Sequence, residues 1–434
     1  MIHRLSFKDI IALGFMTFAL FVGAGNIVFP PVVGMQSGDY IWIAAVGFLI
    51  TSVGLPICTI VALARAGGGI ETISAPIGKI AGLILTIICY LLIGPMFAIP
   101  RTATISFEVG IIPLISTNSN IALLLYSLIY FVFVTLLSLY PSKLLDVIGY
   151  FLAPVKIIAL ILLSISVIIW PIEGNLLVLA TKDYQTSAFC SGFINGYLTM
   201  DTLGALVFGV VIINTIKARG IQAHKLIIRY ATMSGFIASI GLIIVYLGLF
   251  KLGYNIGKIS NQNLDGASIL NIYVHNTFGH MGTLFLAILI FIACIVTAVG
   301  LTCAWADFFA KYLGLSYKYL VCILSIFSML VSNLGLNILI KFSMPILTII
   351  YPPCIILVIL SFTTNWWYKN SRVFIPTIFI SLVFSILDAI NFGYLKNKIN
   401  TFVHLTLFNE IPWLFPVIII LIVSAVVDRV KGYR

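Results

Sequence analysis

Charge is what this 434-residue chain has least of: 9% of its residues are Asp, Glu, Lys or Arg, and only 13 are acidic. Soluble globular domains carry about 25% charged residues, so that class is excluded. Histidine is scarce too, with five in all. His275 and His280 share a polar stretch, but their spacing and the lack of a third ligand make no metal site. The seven cysteines include no Cys-x-x-Cys pair, and most lie in apolar runs where a thiol behaves as a small hydrophobe. Neither a disulfide nor a structural metal is expected. No clustered acid, base and nucleophile argues for an enzyme. No rings of charge or continuous polar face argue for a channel.

What fills the chain instead is apolar sequence, 61% of the total. Runs of it fall near 8–35, 40–64, 80–107, 120–140, 143–170, 192–216, 226–250, 281–310, 317–334, 338–361, 373–393 and 411–428. Each is long enough to serve as a membrane span, for which about 20 residues suffice. The expectation is an all-α polytopic protein of about twelve transmembrane helices in a lipid bilayer, with no separate soluble domain. The net charge of +11 sits in short connections and makes no nucleic-acid footprint. With a cytoplasmic N-terminus and alternating sides, 16 of the 24 Lys and Arg residues fall inside and six outside. Arg101 and Lys156 remain within spans. That is the positive-inside bias, and it puts both termini in the cytoplasm. Arg4, Lys8 and the following run imitate a signal peptide, but no small-residue cleavage site precedes a soluble domain, so a retained first helix is expected. Two external connections, 171–191 and 251–280, are long and polar, with a plain loop as the default for each.

The first run contains an anomaly. From Phe18 to Pro31 it carries Gly23, Gly25, Pro30 and Pro31. Glycine costs about 1 kcal/mol and proline about 3 kcal/mol in a helix interior relative to alanine. Freed backbone groups also find no water inside a bilayer. Such a segment is either a bent, closely packed helix or a discontinuous one lining a cavity. The chain matches itself at one informative place. Gly25-Asn26-Ile27-Val28-Phe29 lies over Gly204-Ala205-Leu206-Val207-Phe208, each opening a five-helix half, in opposite orientations across the membrane. Paired interrupted helices in two halves point to an inverted-repeat transporter site. Asp201 precedes Gly204, and an aspartate in a span costs about 2.5–3.5 kcal/mol and marks function by default. It lines the site or caps the second half-helix, and the two roles are compatible. Half-helix N-termini suit an anion and half-helix C-termini a cation. A zwitterionic amino acid with an apolar side chain matches both.

The third span reads Gly94-Pro95-Met96-Phe97-Ala98-Ile99-Pro100-Arg101-Thr102. With Val22-Gly23-Ala24-Gly25-Asn26 and Thr199-Met200-Asp201, it resembles the bacterial branched-chain amino-acid:cation symporter family, from the first span through Tyr351-Pro352-Pro353. The resemblance implies the LeuT-type fold, with five-helix repeats at 8–170 and 192–361 and two additional helices at 373–428. It implies alternating-access import of leucine, isoleucine and valine across the bacterial inner membrane. No cofactor or obligate protein partner is expected, and sodium is the expected coupling ion. Gly23, Ala24 and Gly25 would offer amides to the substrate carboxylate. Carbonyls near Tyr197 and Thr199, helped by Asp201, would take the amino group, and Asn26 would serve sodium or a gate. Ala19, Val22, Ala293 and Thr297 would form the sodium site, although Val296 stands where a second hydroxyl is common. Lys156, about 20 Å along its helix from Lys143 at 1.5 Å per residue, sits where sodium-independent members of the superfamily place a lysine instead of sodium. The alternative is therefore a proton-coupled or sodium-independent carrier. Arg101 and Glu108, seven residues apart on one helix face and too far apart to pair directly, would have an external or gating role; the alternative for Arg101 is snorkelling or pairing with a structural partner.

Overall fold

The computed structural model describes residues 4–115, 119–140, 153–172, 174–260, 264–390 and 411–432, and among these no residue forms a β-strand. Eight described helical stretches are long and apolar enough to cross a membrane, and two shorter apolar helices are Ala153–Ile169 and Tyr317–Ser332.

Helix α1 (Phe7–Phe21) starts in a capping box, in which Asp9 N–H donates to the Ser6 hydroxyl and Ser6 N–H to the Asp9 carboxylate, both at 3.2 Å. It ends where Val22 turns out of the helix at ψ 87°. Helix α2 (Ala24–Ser37) restarts after an extended Gly23, whose N–H donates to the Asn26 side chain at 3.0 Å. The break expected in the first span therefore falls at Val22–Gly23, and Pro30 and Pro31 ride inside a continuing helix.

The second span is α3 (Ile41–Leu49) and α4 (Leu55–Ala66), joined through a π-helical turn at Ile50–Gly54. In the third, α5 (Lys79–Leu91) runs into a π-turn in which Gly94 leaves the helix at ψ −112°, and α6 (Ala98–Ile105) follows. This third break was not foreseen. Its cause is the Gly94-Pro95 pair, because proline lacks an N–H and keeps the preceding residue out of the α region. Helices α7 (Asn120–Ser138) and α8 (Ala153–Ile169) follow. The start of the expected span 143–170, with Lys143, lies outside the described residues.

The first long connection is no plain loop. It leads into α9 (Lys182–Asn195), interrupted at Ser187, so the sixth span begins inside it. A 3-10 turn at Gly196–Thr199 and Met200 at φ 61° then separate α9 from α10 (Asp201–Ala218). Met200 is the one non-glycine residue at positive φ among the described residues. The second long connection is mostly helical as well. Helix α11 (His224–Gly257) extends into it, and α12 (Gly266–Leu313) opens with an arm that kinks at Gly279, φ 62°. Burial of Ile269, Leu270 and Tyr273 explains why this arm is ordered helix. Helices α13 (Tyr317–Ser332), α14 (Leu336–Ser361), α15 (Asn370–Ala389) and α16 (Leu414–Gly432) follow. Lys396 and Lys398 lie outside the described residues.

Helix α2 is pinned against α11 at backbone contact distance. A Cβ at Gly34 would stand 2.0 Å from the Phe250 carbonyl oxygen, and one at Gly253 1.8 Å from that of Pro31. Small residues permit this approach where lipid supplies no hydrophobic drive between helices. The outer surface is apolar, with Ile121, Leu125, Val132 and Leu136 of α7 exposed, as hydrocarbon requires. Among the described residues the buried charged side chains are Arg101, Lys156, Asp201 and Asp428. Three of these four belong to the site below.

Candidate functional site

The breaks at Gly23 and Met200 bring the first turns of α2 and α10 together. The Asn26 carboxamide donates to both Asp201 carboxylate oxygens, at 2.8 and 2.7 Å, and contacts the Tyr246 hydroxyl. Tyr246 of α11 donates to the same carboxylate at 2.9 Å. A buried carboxylate is tolerated only when its lone pairs are filled, and here neutral donors from two distant helices fill them. Position in the first turn of α10 adds the favourable helix dipole.

Between the breaks lies a narrow cavity of about 30 Å³. One wall is Gly23, Ala24, Gly25 and Asn26; another is Thr199, Met200, Asp201 and Gly204. Leu20, Phe21, Phe208 and Leu301 supply an apolar surface, and the broken third span adds Ile93, Ala98, Arg101 and Thr102. First-turn N–H groups of two half-helices thus border a mostly apolar space. A larger vestibule of about 520 Å³ runs along the later turns of α10 and α12, past Asn214, Thr215, Asp307 and Lys311, and reaches Leu20 from that side. On this face Arg219, following α10, pairs with Asp9 at the start of α1 at 3.0 Å.

Beside the cavity the Lys156 ammonium donates to the carbonyl oxygens of Ala19 at 3.0 Å and Ala293 at 3.1 Å, and also to that of Val22. Thr297 Oγ1 donates toward the Val22 and Ala293 carbonyls at 3.2 and 3.3 Å. Val22 ends α1, so its carbonyl has no helical N–H to accept and is free for the lysine. Three of the four residues expected to hold sodium, Ala19, Val22 and Ala293, therefore converge on the amine of a fully buried lysine, and Thr297 bonds to two of the same carbonyls.

Gly23, Ala24, Gly25, Asn26, Thr199 and Asp201 line the cavity as a group. Tyr197 does not. Its carbonyl accepts from Met200 N–H at 2.9 Å, and its ring stacks on Tyr351 with centroids 4.3 Å apart. Arg101 faces the cavity, whereas Glu108 sits apart from it, half-buried in the π-turn Ser106–Ile111. Asp201 occupies the first helical position, and Met200 is the cap. The sequence reading missed Tyr246, Thr102 and Phe208. A tyrosine hydroxyl near the end of the apolar 226–250 run was the available signal for Tyr246, since a buried polar group needs a partner.

Two solved structures share this architecture. MhsT in complex with L-phenylalanine matches with a TM-score of 0.58 at 15% identity, over 95% of this chain and 98% of that one. Mhp1, a nucleobase-cation-symport-1 family transporter, matches with a TM-score of 0.61 at 12% identity, over 97% of this chain and 92% of that one. At such identities the likeness concerns the fold alone. The family model for branched-chain amino acid transport protein matches residues 6–431, and the chain belongs to that family. It is 55% identical over 434 residues to the branched-chain amino acid permease BrnQ of Escherichia coli (strain K12), covering 100% of this chain and 98% of that one. It is 52% identical over 432 residues to the branched-chain amino acid transport system 3 carrier protein of Pseudomonas aeruginosa, covering 99% and 98%. The protein is a transporter and not an enzyme.

Proposed function

We propose that the protein is a secondary carrier that imports leucine, isoleucine and valine across a bacterial inner membrane by alternating access. The observation that carries this reading is the convergence of two half-helix N-termini, at Ala24 and Asp201, on one buried cavity with apolar walls. First-turn amides favour a carboxylate. Asp201 favours an ammonium, and Leu20, Phe21, Phe208 and Leu301 suit an aliphatic side chain. That the relatives are branched-chain amino acid permeases and carriers by name supports the same substrate class. We take 8–170 and 192–361 as the two inverted repeats, with 373–428 outside them. The basic residues Arg219 and Lys311 on the vestibule side favour that face, and both termini, as cytoplasmic. Alternation then exchanges an opening past Leu20 for one past the Tyr197–Tyr351 stack.

Two observations bear on the coupling ion. The family resemblance leads to sodium. A sodium ion and the Lys156 ammonium exclude each other from the Ala19, Val22 and Ala293 carbonyls, so the cage geometry favours sodium independence at this position. The lysine supplies the positive charge there, and a proton moving on and off a buried amine is a means of coupling open to transporters.

Leucine uptake into proteoliposomes, driven by imposed gradients, tests the substrate class. Saturable uptake competed by excess valine and isoleucine is the expected result. Uptake indifferent to both competitors removes the branched-chain assignment.

A further inference from the structure

The inner charges of the site do not balance. Asp201 is the one buried carboxylate among the described residues at the cavity, and its oxygens are engaged by Asn26 and Tyr246. The Lys156 ammonium is engaged by three carbonyls and does not line the cavity. That leaves Arg101. Its side chain is 3% exposed, and Nη1 has no hydrogen-bond partner. The guanidinium rests on the Phe29 ring, with its carbon 5.2 Å from the centroid. Nη2 lies so close to the first turn of α2 that a Cβ on Gly25 would stand 2.7 Å from it.

The placement follows from the broken third span. Because the helix is interrupted at Gly94 and resumes at Ala98, α6 starts beside the cavity, and Arg101 falls in its first turn, facing α2. A guanidinium has donors in a fixed fork that matches a carboxylate in two-pronged fashion. Stacking on Phe29 holds the plane of the fork without using its N–H groups. A buried charge with an idle donor is stable only if something answers it. The first-turn amides of α2 beside it prefer the same kind of ligand.

We propose that Arg101 is a substrate-binding residue that grips the α-carboxylate, acting with the amides at the start of α2. This rests on the amino-acid reading above and deepens it: the carrier then requires a free carboxylate and rejects amines and amides of the same side chain. Asp201, on the opposite wall, is left to the ammonium end.

The test is equilibrium binding to the purified full-length carrier, using leucine and leucinamide, which lacks the carboxylate charge. Wild type favours leucine over leucinamide by roughly 100-fold, the scale of one buried charged hydrogen-bond pair. In Arg101→Gln that preference collapses to within about threefold through loss of leucine affinity, and Arg101→Lys recovers part of it. Arg101→Gln protein that keeps the preference overturns the assignment. Wild type that binds none of leucine, isoleucine and valine overturns the amino-acid reading itself, and this inference with it. The wild-type protein gives an independent measurement that does not depend on how the variant folds. Phenylglyoxal modification of Arg101, followed by peptide mass spectrometry, is slowed by leucine and not by leucinamide. Equal modification in the two ligands overturns the proposal.

Discussion

Asn26 and Asp201 are 175 residues apart in sequence, yet the carboxamide of one reaches both carboxylate oxygens of the other at 2.8 and 2.7 Å. The contact ties the first turns of two half-helices, so the relative position of the breaks depends on it. Asn26 also accepts from Gly23 N–H at 3.0 Å, which makes one side chain the clasp of the first break and its link to the second.

Removing the clasp leaves a buried carboxylate short of donors. Asn26→Ala and Tyr246→Phe are each expected to lower thermal stability by about 1–3 kcal/mol. Because they share Asp201, the double variant loses less than the sum of the two. Calorimetry in detergent and initial leucine uptake rates check this, and strict additivity contradicts the shared network.

Replacing sodium by choline is expected to leave wild-type leucine uptake unchanged within about twofold, since the Lys156 amine already holds the carbonyls that a sodium ion needs. Lys156→Ala leaves the Ala19, Val22 and Ala293 carbonyls without that donor. Uptake then falls by roughly tenfold or more, and added sodium restores part of it. Flux measurements in proteoliposomes with imposed sodium or proton gradients separate these outcomes. Wild-type uptake that stops without sodium, or a Lys156→Ala carrier with normal kinetics, refutes the lysine's role.

Gly25 and Gly204, aligned by the internal repeat, are expected to respond differently to a methyl group. At Gly25 a Cβ meets Arg101 Nη2 at 2.7 Å and the Leu198 carbonyl oxygen at 3.3 Å. At Gly204 nothing lies nearer than the Phe208 ring at 3.7 Å, an ordinary contact. Gly25→Ala should weaken leucine binding roughly tenfold or more by displacing the guanidinium, on the scale of a small overpacking strain. Gly204→Ala should bind within about threefold of wild type, because that contact adds no such strain. Competition binding on both proteins decides the matter.

The last two helices have a structural function that can be measured. The fully buried Asp428 carboxylate of α16 accepts from the backbone N–H groups of Tyr368 at 2.7 Å and Lys369 at 3.1 Å, with Arg372 3.6 Å away. It thereby anchors α16 to the turn that leads into α15. Asp428→Ala is expected to cost about 3 kcal/mol of stability, by stranding those partners. The KM for leucine should stay within about twofold, because the site lies on other helices. A large KM change with unaltered unfolding temperature contradicts this division of labour.

Composition and run length determined on their own that this chain is helical and crosses a membrane many times, since hydrocarbon accepts no other use of so much apolar sequence. Gly23 and Gly25, with Asp201 ahead of Gly204, also marked the interrupted helices, because the cost of glycine or a charge in a span is local. The Gly94-Pro95 break was written in the same terms, although the motif was read there for its family likeness. Tertiary structure decided the rest. The 251–280 stretch is polar enough to look like loop, and burial of Ile269, Leu270 and Tyr273 makes most of it helix. Tyr197 has the right neighbours in sequence, but it stacks on Tyr351 and leaves the cavity to Thr199. Arg101 offered only its depth and a helix face as clues, and the third break turned it onto the cavity wall. Lys156 reaches carbonyls 134 and 137 residues away. The family resemblance proposed such a use for it, and no spacing within the chain itself did. Helix formation and breaking depend on neighbours a few residues away, so the sequence displays them. The partners of a buried polar group come from whichever distant segments the packing brings within about 3 Å, and only the folded chain displays those.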